Sequence, residues 1–361
     1  MVVGEKRGFD LGVMMKMTMK MTRRLAVAGM VAIGLLLAGG GVTCRAADKT
    51  VKVKLATLAP KGSTPFQILQ AMNEQWQKAT DGKAKLTIYA DGTQGSEAET
   101  IKRMRIGQLQ ASLITGVGLA EIEESVTCLQ TMPMVFRSFG ELDYVQAKMT
   151  PLLEKRLDAK GFVVLSWVDA GWIHYFARRP VVHPDEFKKL RIFAWAGDNN
   201  TIALMKSLGY QPLPLEAADI LPSLKTGMVD AVPAPPFYAL AGQFYDPAPH
   251  MVNVNWAPLV GALVMTKKAW DEFNPDEQKA MRASAEDAGK QMRAQARKEN
   301  VEAVDAMKKR GLTVHTPSPA DLAAWEKLAE SAYPTIRGKM VPQDLFDEVR
   351  KLVAEYRAKN P

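Results

Sequence analysis

NPDEQKAMRASAEDAGKQMRAQARKENVEAVDAMKKRG, residues 274–311, is the stretch that decides the fold. Asn274-Pro275-Asp276-Glu277 opens a helix, with a capping asparagine, a proline at the first position and acid in the first turn. After Pro275 no proline occurs before Gly311, and Gly289 is the only glycine between them. That is about 35 residues, or about 50 Å at 1.5 Å per residue. A lobe of about 130 residues is only about 35–40 Å across. The expectation is one backbone helix that spans two lobes; a kink at Gly289, giving two ordinary helices, is the alternative.

Outward from this helix the chain alternates strand and helix. Val51-Lys52-Val53-Lys54-Leu55 has period two. Thr64-Pro65-Phe66-Gln67 begins a helix, with Thr64 as its cap and Phe66, Leu69, Met72 and Trp76 as its stripe. A second strand carries Leu86, Ile88 and Ala90; a helix follows at 97–106 and a third strand at 111–115. Residues 162–167 read as a buried strand. Further strands at 172–177, 190–195 and 228–232 alternate with helices at about 201–208 and 219–225, which Gly209 and Gly227 stop. This pattern argues an α/β fold with sheets covered on both faces. The expected division is 47–168 plus about 256–290 for lobe I. Lobe II takes 169–255 plus about 291–361, with the spanning and C-terminal helices.

The first 46 residues read as an export signal and are set aside from the fold. Arg23 and Arg24 precede the apolar run 25–37, and Cys44-Arg45-Ala46 offers small residues at −3 and −1 before Ala47. The run is too short for a membrane span. The methionines at 14–21 point to a start inside the printed sequence. Cys44 as a lipid-attachment site is the weaker alternative, because Gly41 stands where a leucine is usual. The expected location is the periplasm. Seven of the 47 basic residues and two of the 39 acidic ones fall in 1–46, leaving 40 against 37. Most of the net charge of +8 is therefore signal, and nucleic acid is not implied. Once Cys44 is gone, Cys128 has no cysteine to pair with and is expected in the core.

Signatures of catalysis are missing from the sequence. The four histidines, His174, His183, His250 and His315, show no metal-ligand spacing. There is no nucleophile elbow and no P-loop, and Gly116-Val117-Gly118 lacks the third glycine of a dinucleotide fingerprint. Glu121, Glu123 and Glu124 read as a solvated helix face. No catalytic residue, metal or cofactor is expected.

Several segments together carry a resemblance. They are Gly95-Ser96-Glu97-Ala98-Glu99 with Gly107-Gln108-Leu109-Gln110-Ala111; Met132-Pro133-Met134-Val135-Phe136; Pro184-Asp185-Glu186-Phe187-Lys188-Lys189-Leu190-Arg191-Ile192; and Leu208-Gly209-Tyr210-Gln211-Pro212-Leu213-Pro214, leading to Gly227-Met228-Val229-Asp230. In this order, over residues 50–345, the chain resembles the DctP-type solute-binding proteins of tripartite ATP-independent periplasmic (TRAP) transporters. The resemblance implies a two-lobe periplasmic binding protein fold that closes on a small molecule, hinged by crossing strands and a long helix. It implies integral membrane TRAP transporter subunits as partners and no catalysis. A carrier or sensor role uncoupled from transport, with a periplasmic repeat-containing lipoprotein as partner, is the alternative.

The chain departs from that family where the ligand binds. Members that take organic acids hold the carboxylate with an arginine in the strand that here reads Leu190-Arg191-Ile192-Phe193, and Phe193 stands in its place. Ile173 stands where a second arginine is usual. Leu215 replaces an aromatic and Ala234 a polar residue. A carboxylate buried without a cation costs several kcal/mol, and bidentate arginine is the usual remedy. Burying about 250 Å² of an apolar ligand instead contributes about 6 kcal/mol before association costs. The expected ligand is apolar or amphipathic, with acid binding through Arg191 as the alternative. The expected site is Ile173, Tyr175, Phe193, Trp195, Leu215, Ala234, Phe237, Tyr238 and Trp256, with Gln94 and Asp169 as polar anchors. Asp230 is expected to fix a turn, and His174 to be a packed strand residue.

Overall fold

The computed structural model describes residues 50–360. The expected export signal, the internal start and Cys44 lie outside the described residues. In chain order the helices are α1 (Thr64–Ala79), α2 (Glu97–Arg105), α3 (Gly116–Ile122), α4 (Cys128–Thr131), α5 (Phe139–Asp158), α6 (Pro184–Phe187), α7 (Asn199–Ser207), α8 (Ile220–Thr226), α9 (Pro236–Ala241), α10 (Lys267–Trp270), α11 (Pro275–Lys308), α12 (Pro319–Ile336) and α13 (Gln343–Lys359). The strands are β1 (Val51–Thr57), β2 (Ala84–Tyr89), β3 (Ala111–Thr115), β4 (Phe162–Trp172), β5 (His174–Ala177), β6 (Arg191–Trp195), β7 (Gln211–Leu215), β8 (Ala231–Ala234), β9 (His250–Val252), β10 (Pro258–Thr266) and β11 (Thr313–His315).

Two sheets form the two lobes. The first runs β2-β1-β3-β10-β4 and the second β11-β9-β5-β8-β6-β7. In the first, β1 pairs in parallel with β2 from Val51↔Ala84 to Ala56↔Tyr89. β10 runs antiparallel to both β3 and β4. The alternation in β1 does what period two requires: Val53 and Leu55 are buried while Lys52 and Lys54 face water. Leu69, Met72 and Trp76 of α1 close over them in one apolar core. The cap of α1 is Ser63 and not Thr64. Thr64 is the first helical residue, and its hydroxyl instead donates to Glu299.

The long helix is continuous. In α11, Asn274 accepts from the amides of Asp276 and Glu277, and the Glu277 carboxylate accepts from the Asn274 amide at 2.8 Å. This reciprocal cap satisfies amides that a helix start leaves bare. The 34 residues of α11 span about 51 Å. Met281, Ala285, Ala288 and Met292 enter the core of the first lobe, and Ala303 and Met307 that of the second. Gly289 does not kink it. A Cβ there would stand 2.7 Å from Ser166 Cβ and 2.9 Å from its Oγ, so glycine lets the helix lie directly on β4. We expect Gly289→Ala to lose about 1–2 kcal/mol in urea denaturation, the crowding outweighing the gain in helix propensity. A variant as stable as the parent would show that the contact yields.

The C-terminal segment corrects one boundary. Trp325 of α12 packs in the second lobe and donates to the Val182 carbonyl at 2.8 Å. Farther on, Ile336 of α12 and Leu345, Phe346, Val349 and Leu352 of α13 bury themselves against Leu142, Val145 and Met149 of α5 in the first lobe. Residues 291–361 therefore do not all belong with lobe II. The apolar stripe of α5 would otherwise be bare, and α13 covers it.

Candidate functional site

Two chain crossings join the lobes side by side. β4 leaves the first sheet at Trp172 and β5 begins the second at His174; the return passes from β9 to β10. Between them the Ile173 amide donates to the Ala257 carbonyl at 2.9 Å, and the Trp256 amide donates to the Ile173 carbonyl at 3.2 Å. Gly171 takes φ +95°, and a Cβ there would meet the Asn300 amide. That amide donates to the carbonyls of Ala170 and Ala296, and its oxygen accepts from the Phe237 amide at 3.0 Å. Asn300 thus fixes the crossing strand, α11 and the start of α9 at one point.

Beside this point lies a cavity of about 140 Å³ between the lobes. The first lobe supplies the end of β1 and its loop (Thr57 to Pro60), the start of α1, Leu113 to Thr115, Val168 to Ala170 and Leu259 to Gly261. α11 supplies Met292, Gln295, Ala296 and Glu299, one face at helical spacing. From the second lobe come Trp195, Phe237 and Tyr238. Burial pushes the Tyr238 phenol up to about 12, so it stays a neutral donor.

Among the described residues three carboxylates border this cavity and no Lys, Arg or His does. Glu97, in the first turn of α2, accepts from the Thr115 amide (2.7 Å), the Thr115 hydroxyl (2.6 Å) and the Gly118 amide (2.9 Å), capping α3 from outside. Burial raises its pKa above the usual carboxylate range, against the pull of these bonds. Burial likewise raises Asp169, against Arg297, whose guanidinium lies 2.7 Å away. Glu299 accepts on Oε1 from Thr64 and from Gln295 at 3.1 Å.

The expected site residues divide. Trp195, Phe237 and Tyr238 border the cavity, as does Asp169. Gln94 lines a small recess next to it, with Gly95 and Glu97. Phe193, expected to face the ligand, is instead 1% exposed in the core of the second lobe beneath Trp195, their ring centroids 5.0 Å apart. Ala234 is buried in the same core and Leu215 packs against it. Tyr175 is corrected too: its ring stacks on Trp325 at 5.5 Å, in a cluster with Phe187 and Trp256. Ile173 is not among the residues that line the cavity, and its backbone bonds hold the crossing. Arg191 cannot serve an acid in the cleft. It is exposed at the far end of β6 from Trp195, where Asp230 (3.0 Å) and the Gly227 carbonyl hold it. The Asp230 carboxylate accepts from the Arg191 backbone amide and from its guanidinium, each at 3.0 Å. Glu97, Gln295 and Glu299 were not among the expected site residues. Their signal was present: Met292, Gln295, Ala296 and Glu299 share one helix face, and Glu97 sits in the Gly95-Ser96-Glu97 segment.

Cys128 is fully buried and its thiol is pushed up to about 12 by burial, which makes it an inert core residue. No three His, Cys, Asp or Glu converge as metal ligands among the described residues.

The family model for DctP, bacterial extracellular solute-binding protein, family 7, matches residues 55–339. The chain belongs to the DctP family. The 2,3-diketo-L-gulonate-binding periplasmic protein YiaO of Escherichia coli is 26% identical over 246 residues, 68% of this chain and 74% of that one. The C4-dicarboxylate-binding periplasmic protein DctP of Rhodobacter capsulatus is 25% identical over 272 residues, 74% and 79% of the two chains. Among solved structures, a TRAP periplasmic solute-binding protein from Xanthobacter autotrophicus with bound β-D-galacturonate superposes with TM-score 0.77 at 21% identity, covering 84% of this chain and 99% of its own. The sugar acid binding protein DctPAm of Advenella mimigardefordensis, in complex with galactonate, gives 0.78 at 18%, covering 85% and 99%. As a DctP-family protein the chain is a solute-binding protein, a carrier of a small molecule and not an enzyme. Among the described residues no helix is long and apolar enough to cross a membrane.

Proposed function

We propose that this chain is exported to the periplasm, captures an apolar or amphipathic small molecule between its lobes and delivers it to TRAP-type membrane subunits. One observation carries the reading: the cavity is walled by Leu, Val, Met and aromatic side chains and, among the described residues, bordered by no cation. An acid entering it would lose its hydration with no guanidinium in exchange. The sugar acids named for the solved structures belong to chains at most 21% identical, a level at which the fold is shared and the cleft chemistry is free to differ. The volume of about 140 Å³ is close to that of engineered apolar cavities that take up benzene, so a single ring or a short chain is the fitting size.

Native mass spectrometry of the protein purified without refolding, followed by calorimetry on whatever is retained, tests this. The expected result is a retained ligand without a carboxylate, and no micromolar binding of succinate or galacturonate. Micromolar binding of either acid would return the protein to the organic-acid class.

A further inference from the structure

We infer that the polar end of the ligand is an organic ammonium, held between carboxylates that have no cationic partner among the described residues and the aromatic rings of the second lobe. This rests on the reading of the cavity as the ligand site and goes further, by naming the charge of the guest.

The charges bordering the cavity are Glu97, Asp169 and Glu299. Asp169 is already matched: Arg297 holds it at 2.7 Å, binds Asp143 as well and lies 4.2 Å over the Phe139 ring. The other two have no such partner. Glu97 is met only by the hydroxyl of Thr115 and the amides of Thr115 and Gly118. Glu299 takes both of its hydrogen bonds on Oε1, and among the described residues nothing donates to Oε2. Among the described residues neither forms an ion pair. The Glu97 oxygens are hydrogen-bonded and Glu299 is half-buried, so what the cavity lacks is a counter-charge for them, and a cationic ligand would supply it. A carboxylate would meet like charge; an alcohol would satisfy one acceptor; an ammonium would satisfy acceptor and charge together.

The rings of the second lobe agree with this. Trp195, Phe237 and Tyr238 stand together, with the Trp195–Tyr238 and Phe237–Tyr238 centroids each 6.4 Å apart. Ring faces attract cations, and groups of them are the usual means of holding alkylammonium ions. Glu299 projects from α11 and the rings come from the second lobe, so a ligand bridging them draws the two together. An apolar body against Leu113, Val168 and Met292 completes the fit.

The test is a charge series on one skeleton: phenethylamine, 2-phenylethanol and phenylacetate, with galacturonate alongside, titrated by calorimetry into the full mature chain and into Glu299→Gln. The amine should bind at least about tenfold more tightly than the alcohol. Glu299→Gln should remove most of that preference and leave the alcohol within about threefold of its parent value. Equal binding of amine and alcohol to the parent protein overturns the ammonium assignment and leaves the apolar reading standing. Tightest binding of phenylacetate or galacturonate overturns both. No binding of the amine at millimolar concentration also overturns the assignment. The parent series decides even where Glu299→Gln fails to fold.

Discussion

Arg297→Met should cost the fold about 3–5 kcal/mol in urea denaturation at neutral pH. Arg297 sits in α11 and reaches two other elements. It donates to Asp169 of β4 at 2.7 Å and to Asp143 of α5 at 2.6 and 2.8 Å, with its guanidinium over Phe139. The Asp169 side chain is fully buried. Removing the cation leaves that carboxylate, in a place water does not reach, with only the weaker attraction of Arg293. Methionine keeps most of the packing over Phe139, so the loss reports charge more than volume.

Burial already holds the Asp169 pKa above its ordinary value in the presence of Arg297. Without Arg297 the pKa rises further and the group takes up a proton on folding. A folded-state pKa above the unfolded one gives stability that is present at low pH and lost as pH rises through the folded value. The defect in Arg297→Met should therefore be larger at pH 8 than at pH 5. Adding Asp169→Asn should recover most of the loss, because it removes the orphaned charge. A single variant within about 1 kcal/mol of the parent, or a double variant no better than the single, would show that Asp169 does not depend on this partner.

The sequence made α11 legible because its signal was local: a cap, an acidic first turn and a long absence of breakers. The first strands were legible for the same reason. Helix α5 was not, since Pro151 lies inside it and proline argues against a helix interior. Yet α5 forms a wall of the first lobe's core. The destination of α13 was also hidden, because its stripe fits any apolar surface and only the fold brings α5 to it. In the cleft, aromatic content pointed to the right segments, but parity along β6 put Phe193 and Trp195 on one face without saying how deep each would lie. Phe193 fills the core and Trp195, at the strand end, reaches the cavity. Missing arginines could be read from the sequence. Of the bordering carboxylates Asp169 was read from the sequence, and Glu97 and Glu299 left only local signals, because nothing near either in the chain brings α2 and α11 to one cavity. The contact of His250 with His315 is of the same kind: 65 residues separate them, and their rings come within 3.1 Å because β11 pairs with β9.

Acid should weaken this protein through His174 by about 3 kcal/mol between neutral pH and pH 4. His174 opens β5, is 8% exposed, and its Nδ1 has no hydrogen-bond partner. Burial pushes the ring pKa down to about 4, against the backbone of Val252 and Val254, which pulls upward. The unfolded chain carries an ordinary histidine near 6.5. Between about 6.5 and 4 the unfolded state binds the proton and the folded state does not. Stability from this group is thus fully present above the unfolded pKa and lost as pH falls through the folded one. Glu97, Glu154 and Asp169, whose pKa values burial raises, act with the opposite sign, binding a proton more readily folded than unfolded. His250, lowered by burial and by His315, acts with the same sign as His174. The single-group contribution is therefore read as a difference. Urea denaturation of the parent and of His174→Phe and His174→Gln at pH 7 and pH 4 should show about 3 kcal/mol less acid sensitivity in both variants. Acid sensitivity unchanged in both would mean that the ring is protonated in the folded protein, and that the strand accommodates its charge.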